Sequence, residues 1–193
     1  MTAGDEMRPT ATPKLTYQEF LSFPDDGRRH ELIDGDHYVT PSPAERHQRV
    51  SVRLTVALAG YLDAAATGRV YHAPFDVVLS NHDVVEPDLL VVLNDQADII
   101  GAQHVRGAPA IVVEILSPGT RHRDETLKRQ LYARAGVREY WMVDPDRDVV
   151  SVCRQSAPGV LETVAELTGR ARDALTSPLL PGFELALGQV FDR

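Results

Sequence analysis

Two apolar runs in the middle of the chain carry carboxylates where a strand buried on both faces would carry none. Residues 84–93 are rich in valine and leucine yet contain Asp88, and residues 111–116 hold Glu114 among isoleucine and valine. An unpaired buried carboxylate is costly to ionise, so each needs a cation, hydrogen-bond donors or a raised pKa. If the two acids lie at neighbouring strand ends and face one point, they form an oxygen-rich site that suits Mg²⁺ or Mn²⁺.

Each of these carboxylates could instead have a purely structural role, without metal binding or catalysis. Pro87 cannot donate a ladder hydrogen bond, so it indicates a strand start, a bulge or an edge just before Asp88. Asp88 could then cap a turn or pair with an arginine, and Glu114 could face solvent if its strand alternates. We expect the metal-binding role for both, because sites form at sheet ends and the residues around Glu114 are apolar.

The helices that must position these side chains follow from apolar spacing and from capping residues. Thr16 and Thr120 are candidate N-caps, while Gly68 and Gly136 are candidate stops. The predicted helices cover residues 16–23, 43–66 and 120–135. Residues 95–109 are predicted to form a loop with one helical turn.

The strands follow from β-branched runs and turn residues. Predicted strands cover residues 69–72, 75–79, 85–93 and 110–116, with weaker candidates at 161–167 and 183–187. Two hairpins are predicted, at residues 31–39 around Asp34-Gly35 and at 138–154 around Asp144-Pro145-Asp146. The order of elements predicts an α/β protein with a mixed central β-sheet flanked by helices and additional β-hairpins.

Length and composition indicate an ordinary globular protein. The chain has 193 residues, of which 43% are apolar and 25% charged, which suits one domain at residues 14–193 behind a flexible tail at residues 1–13. No apolar run approaches the length of a transmembrane helix, and the N-terminus lacks a signal-peptide pattern. The lone Cys153 excludes an internal disulfide and a Cys-rich zinc site. We therefore expect a cytoplasmic protein with no membrane partner.

The net charge of −8 argues against a simple nucleic-acid binder, because phosphate contacts need a positive surface. A local basic patch can coexist with an acidic remainder, although most arginine clusters on helices are only solvated faces. Two such clusters are Arg46, Arg49 and Arg53, and Arg121, Arg123, Lys128, Arg129 and Arg134.

An ordered set of segments resembles a known family. Pro87-Asp88 followed by Glu114-Ile115-Leu116 is similar to the PD-(D/E)XK signature of the restriction-endonuclease-like nuclease superfamily. Across residues 15–190 the chain resembles a widespread bacterial family within it, whose function is largely unknown. The matching segments are 31–35, Pro41-Ser-Pro with His47, 73–77, 86–89, 113–118, 136–145 and 179–183.

The resemblance implies a restriction-endonuclease-like core and hydrolysis of phosphodiester bonds, with DNA as the expected substrate. Asp88, Glu114 and the backbone carbonyl of Ile115 would hold Mg²⁺ or Mn²⁺. Glu31 matches an acid that such nucleases supply near the N-terminus, and His47 is a possible accessory residue. Glu31 could instead be a surface strand residue, and His47 a helix cap or a surface residue.

One departure from the superfamily pattern concerns the lysine. Leu116 stands where the signature has lysine, and the chain holds only Lys14 and Lys128. The resemblance implies that the catalytic lysine has moved to the following helix, as Lys128. The alternative is an i,i+4 pair of Lys128 with Asp124, worth ~0.2–0.5 kcal/mol.

These inferences predict a metal-dependent endonuclease. The alternative is a non-catalytic module that keeps the fold and binds a partner or nucleic acid. Because cutting both strands of a duplex needs two active sites, we also expect a homodimer. Candidate contact surfaces are the hairpin at residues 140–152 and the segment 179–183, although both could equally complete the core.

Overall fold

The structure is a computed structural model that describes residues 13–169 and 173–192. The predicted N-terminal tail lies outside the described residues, apart from Pro13. The helices in these ranges are α1 (Tyr17–Phe20), α2 (Glu45–Ala65), α3 (Arg121–Arg123), α4 (Arg129–Ala135) and α5 (Leu187–Phe191), with a 3₁₀ segment at Asn94–Ile99 and a π-helical segment at Asp124–Lys128. None of them is long and apolar enough to cross a membrane.

Within the same ranges the strands form two larger layers and one hairpin. The strands are β1 (Arg29–Ile33), β2 (Asp36–Thr40), β3 (Gly68–His72), β4 (Asp76–Ser80), β5 (Asp83–Val85), β6 (Leu89–Leu93), β7 (His104–Arg106), β8 (Ile111–Ile115), β9 (Glu139–Asp144), β10 (Val149–Ala157), β11 (Val160–Thr168), β12 (Ala174–Ser177) and β13 (Leu180–Ala186). The larger sheet has the order β11-β10-β9-β8-β6-β3, and the smaller sheet has the order β2-β1-β5-β4-β7. Strands β12 and β13 form a separate hairpin.

The predicted α/β class with a mixed sheet is confirmed. In the larger sheet β8 and β9 run parallel, while the other neighbouring strands pair antiparallel. The parallel step requires a crossover, and the segment from α3 to α4 supplies it. The smaller sheet was not predicted from the sequence.

The larger sheet has an apolar cluster on each face. On β6, Leu89 and Val91 pack with α2 and the C-terminal hairpin, whereas Leu90 and Val92 pack with α4 and the smaller sheet. The same alternation on β8 places Val113 and Ile115 on the α2 side. Glu114, between them, therefore lies on the face toward α4.

The prediction of one strand over residues 85–93 is wrong. Strand β5 ends at Val85 in the smaller sheet, and β6 begins at Leu89 in the larger sheet. The connection between them includes Pro87, which has no amide hydrogen, and Glu86, whose N–H donates to Glu31 Oε1 at 3.0 Å instead of to a strand. The chain therefore crosses between the two sheets at Asp88.

The helix predicted over residues 120–135 is interrupted by the π-helical segment. The Thr120 side chain does not cap this helix, because its hydroxyl lies 3.0 Å from the Ser117 hydroxyl. Gly136 does end the helix, in the left-handed conformation that glycine favours. A π-helical turn changes the angle between side chains, which places Lys128 differently from its position in a regular helix.

Several other boundaries differ from the predictions. Helix α2 ends at Ala66 in the left-handed region, and Gly68 begins β3, where a Cβ would lie 2.6 Å from the Val92 carbonyl oxygen. The predicted loop at residues 95–109 contains the 3₁₀ segment and β7. The Asp34-Gly35 turn and the Thr16 cap of α1, which is a capping box, are present as predicted.

The two surfaces proposed for dimer contact are largely buried within the chain itself. Trp141 and Val150 of the first and Leu180 and Phe183 of the second belong to the apolar cluster beneath α2. These side chains complete the core, as the alternative explanation of both segments holds, and contact between two chains at the exposed parts of the segments stays a prediction.

Candidate active site

The predicted site residues Glu31, Asp88, Glu114 and Lys128 converge on the face of the larger sheet toward α4. Each comes from a different part of the fold: β1, the start of β6, β8 and the π-helical segment. Their exposed fractions are 1%, 5%, 3% and 3% respectively. Three of them, Asp88, Glu114 and Lys128, line a cavity of about 220 Å³, called here the acid pocket.

Lys128 is the centre of an ion network. Its Nζ lies 2.7 Å from Glu31 Oε1 and 2.8 Å from Glu114 Oε1. The pair with Asp124 that formed the alternative explanation is also present, but at 3.8 Å it is the longest of the three. Burial disfavours the charged ammonium, yet the three carboxylates outweigh this and raise the pKa of Lys128. Lys128 is therefore a firmly protonated donor.

Asp88 is held by three donors. Its Oδ1 accepts from Arg29 at 2.8 Å, and its Oδ2 accepts from the Ile115 backbone N–H at 2.8 Å and lies 3.1 Å from His47 Nε2. Burial opposes ionisation of Asp88, but these partners lower its pKa to about 2. The pairing with an arginine that the sequence left open is thus present, and Asp88 is ionised.

The sheet register explains why Asp88 and Glu114 belong to one site. Strands β6 and β8 are antiparallel, with Leu89 opposite Val113. One step further along this register sets Asp88 opposite Glu114, and directly opposed residues share a face of the sheet.

Glu114 differs from Asp88 in its protonation. Burial is the main cause that raises the pKa of Glu114 to about 8, and the negative charges of Asp124, Asp88 and Glu31 add to it against the effect of Lys128. The Tyr132 hydroxyl lies 2.7 Å from Glu114 Oε1. Burial thus disfavours the negative charge of Glu114, and a bound cation would offset this cost.

Glu31 is ionised, and its contacts hold neighbouring residues in place. Burial opposes its charge, but Lys128 and Arg123 together hold the pKa of Glu31 below its usual range. The Arg123 guanidinium lies 3.4 Å from Glu31 Oε2. Because Glu31 also accepts the Glu86 N–H, it links the smaller sheet to the lysine.

A family model described as "Putative restriction endonuclease" matches residues 17–188 of the chain. The chain belongs to this family, Uma2. The resemblance inferred from the sequence is confirmed, and with it the superfamily fold. The family name describes a proposed activity, and the identity of the substrate is a separate question.

Two proteins are similar to this Uma2 protein, one in sequence and one in structure. It is 30% identical over 123 residues to the uncharacterized protein slr1290 of Synechocystis sp., a match that spans 63% of each chain. A crystal structure of a protein from Anabaena variabilis, described as a putative nuclease belonging to DUF820, superposes with a TM-score of 0.76 at 20% identity. The superposition covers 92% of this chain and 97% of the other, and at this identity it shows a shared fold.

Sequence reasoning missed the contacts of three site residues. Arg29 precedes Glu31 by two positions on β1, so strand alternation places both on one face. Tyr132 follows Lys128 by four positions, which is one helical turn. Arg123 was assigned only to a basic cluster, whereas its guanidinium contacts Glu31 and lies over the Tyr38 ring. Periodicity could have indicated the first two.

A second acidic pair adjoins the site. Burial raises the pKa of Glu86 to about 7, and the nearby charges of Asp76 and Glu31 contribute to the shift. The pKa of Asp76 is also raised by burial. Glu86 Oε2 is buried and has no hydrogen-bond partner. The surroundings of Asp88 thus hold more carboxyl groups than cations.

The donor set is suited to a hard divalent cation. Carboxylate oxygens are the ligands that Mg²⁺ and Mn²⁺ prefer, and the buried Oδ1 of Asp124 has no hydrogen-bond partner. Across residues 13–169 and 173–192, no group of three or more His, Cys, Asp or Glu side chains is already arranged to hold a metal ion. Both oxygens of Asp88 are engaged, so a cation would replace the contact of Arg29 or His47.

Proposed function

We propose that this Uma2 protein is a metal-dependent nuclease that hydrolyses phosphodiester bonds, with DNA as its substrate. The observation that carries the proposal is the convergence of Glu31, Asp88, Glu114 and Lys128 on one buried polar cluster beside a cavity. This combination of acids and one lysine is what the PD-(D/E)XK signature implies. The description of the family supports the same activity. We also keep the prediction of a cytoplasmic location.

Each residue of the site has a separate role in the proposed reaction. Asp88, Glu114 and the backbone carbonyl of Ile115 would hold Mg²⁺ or Mn²⁺, which when bound supplies Lewis-acid stabilisation of phosphate charge and a more acidic water. Lys128 keeps its proton, so it acts as a donor to phosphate or water and not as a base. Glu31 holds Lys128 in place, and His47 orients Asp88.

Cleavage of plasmid and single-stranded DNA with Mg²⁺ or Mn²⁺ tests the proposal. Asp88→Asn removes a charge that a cation needs, and Lys128→Met removes the donor, so each should lower the rate by at least ~100-fold. The matched control is Asp63→Asn, a carboxylate on the exposed side of α2, which should cleave like the unmodified protein.

Two results would contradict parts of this assignment. Absence of cleavage with either metal would remove the nuclease function. Full activity of Lys128→Met beside an inactive Asp88→Asn would show that the lysine has not moved to position 128 as a catalytic group. Circular dichroism is needed for each variant, because the loss of Lys128 leaves Glu31 and Glu114 buried without their cation.

The second candidate function is a non-catalytic module that binds a partner or nucleic acid. The observation that favours it is the closed set of contacts around Asp88, in which Arg29, His47 and the Ile115 amide already satisfy the carboxylate. A protein of net charge −8 also repels phosphates at long range. This candidate gains support if binding of a partner is found without any cleavage.

A further inference from the structure

A second cavity opens beside the acid pocket and is called here the side cavity. It has a volume of about 430 Å³ and shares Arg29, His47, Glu86 and Asp88 with the acid pocket. A molecule bound at the catalytic acids can therefore extend into the side cavity while it stays in contact with the protein. This volume lies in the range of small-ligand sites.

The outer part of the side cavity is built from three segments. The loop before β1 contributes Arg28, the first turns of α2 contribute Gln48 and Ser51, and the turn after β3 contributes Pro74. None of these residues belongs to the acid network. The side cavity therefore extends beyond the acid pocket, and the two share eight lining residues, among them Asp88.

The polar groups in the side cavity are available to a ligand. Among the residues that the structure describes, the side chains of Ser42, Gln48 and Ser51 have no hydrogen-bond partner. Gln48 and Ser51 lie one helical turn apart on α2, so they present their donors and acceptors side by side. Pro41 and Pro74 add rigid apolar surface to the same lining. A flat molecule with hydrogen-bonding edges matches this lining.

We propose that the side cavity binds an unpaired nucleobase next to the scissile phosphate, so that the substrate is single-stranded or locally unpaired nucleic acid. This inference rests on the nuclease function proposed above and names its substrate class. A base inside a duplex is stacked and paired, so it reaches a recess beside the phosphate only after it leaves the stack. A base in a single strand is already unpaired, so its binding does not carry the cost of opening a base pair.

The charge distribution supports a strand over a duplex. Duplex binding depends on many phosphate contacts with cations, and the net charge of −8 opposes them. Near the side cavity, Arg29 is engaged by Asp88, and Arg28, whose side chain is 67% exposed at the rim, lies 3.8 Å from Asp26. A single strand has a lower density of phosphate charge than a duplex, so an acidic protein opposes its binding less.

Binding can be tested without cleavage. One labelled oligodeoxythymidylate is used free or annealed to its complement, and fluorescence anisotropy is recorded with Ca²⁺, an ion that takes oxygen ligands. The free strand should bind at least ~10-fold more tightly, because a base in the duplex must first be unstacked and unpaired, which costs a few kcal/mol. Equal or tighter binding of the duplex would overturn the inference.

A variant pair ties this preference to the side cavity. Gln48→Trp fills the cavity from α2 and should remove the preference for the free strand. Its matched control is Val56→Trp, farther along the same helix at a side chain that is 67% exposed and does not line the cavity, and the preference should persist. A preference that survives in Gln48→Trp would place the base elsewhere and overturn the assignment.

The outcomes separate this inference from the proposed function. Cleavage of duplex and single strand at equal rates, with equal binding, would overturn the inference and leave the nuclease function standing. Absence of both cleavage and binding would overturn the nuclease function, and the inference with it. Binding of the free strand alone supports the inference, even for a protein that turns over slowly.

Discussion

At the scale of single residues, the site is organised by an imbalance of charge. One ammonium, that of Lys128, lies within 4 Å of three carboxylates, those of Glu31, Glu114 and Asp124. Glu31 gains a second cation from Arg123, whereas Glu114 does not, and this difference explains why their pKa values move in opposite directions. A site of this kind gains most from an added cation at Glu114.

Metal binding should therefore stabilise the folded protein through Asp88 and Glu114. Mn²⁺ at 100 times its dissociation constant should increase the free energy of unfolding by about 2.7 kcal/mol, since the unfolded chain holds no such site. The measurement is the change in melting temperature on adding Mn²⁺. Asp88→Asn should abolish this change, whatever its effect on the metal-free protein, and Asp63→Asn should retain it. An equal shift in Asp88→Asn would place the metal at another site.

At the scale of elements, the parts that interrupt regular structure are those that carry the site. The crossing at residues 86–88 places Asp88 between the two sheets, and the π-helical segment presents Lys128 to Glu31 and Glu114. π-helical turns occur frequently at functional sites, because an extra residue redirects side chains at a small cost in backbone bonding. From the sequence, both stretches were predicted to be regular elements.

The helical segment that carries Lys128 is attached to the sheet by an ion pair at its start. Arg121 donates to Asp144 Oδ2, at the end of β9, at 2.7 Å. The other oxygen of Asp144 accepts the N–H groups of Asp146 and Arg147 and forms the turn. Burial opposes ionisation, but these donors lower the pKa of Asp144 below its ordinary value of 3.8.

The contribution of Asp144 to stability should therefore depend on pH. Because the folded-state pKa is lowered, the stabilisation is fully present above pH 3.8 and is lost as the pH falls through the folded-state value. Asp144→Asn should lower the free energy of unfolding by about 1.5 kcal/mol at pH 7, and by progressively less below pH 3.8. Urea titrations at several pH values measure the difference. Asp146→Asn, at an exposed position in the same turn, is the control, and a constant difference at all pH values would contradict the argument.

At the scale of the whole molecule, the two faces of the larger sheet have different roles. Its face toward α2 and the C-terminal hairpin is an apolar core, while the end of the opposite face opens to the acid pocket and the side cavity. The sheet therefore supplies rigidity on one side and the reactive groups on the other.

A homodimer stays a prediction, and exposed apolar side chains offer a contact surface besides the two segments expected from sequence. Large apolar side chains that are exposed near each other include Val160 and Val164 on β11, an outer strand of the larger sheet. Unpaired strand edges associate readily. Light scattering at micromolar concentration should give twice the chain mass, and Val164→Lys should reduce it, while Val56→Lys on α2 should not. A monomeric mass would contradict the dimer and would suit cleavage of one strand at a time.

The sequence by itself determined the features that depend on near neighbours along the chain. The Asp34-Gly35 turn, the Thr16 cap, the end of a helix at Gly136 and the alternation of β8 all follow from local conformational preferences and side-chain period. The ordered set of matching segments along the chain also carried the resemblance to the family. These features need no knowledge of which elements meet.

Only the tertiary structure decided which charged and polar groups contact each other. Arg29 and Asp88 lie 59 positions apart, and Glu31 reaches the Glu86 amide across 55. Such contacts form when whole sheets pack, and the free energy of packing does not depend on the spacing of residues in the sequence. The crossing at Pro87, the second sheet and the side cavity arise in the same way. The types of the catalytic groups can therefore be read from the chain, whereas their partners and protonation are set by the assembled fold.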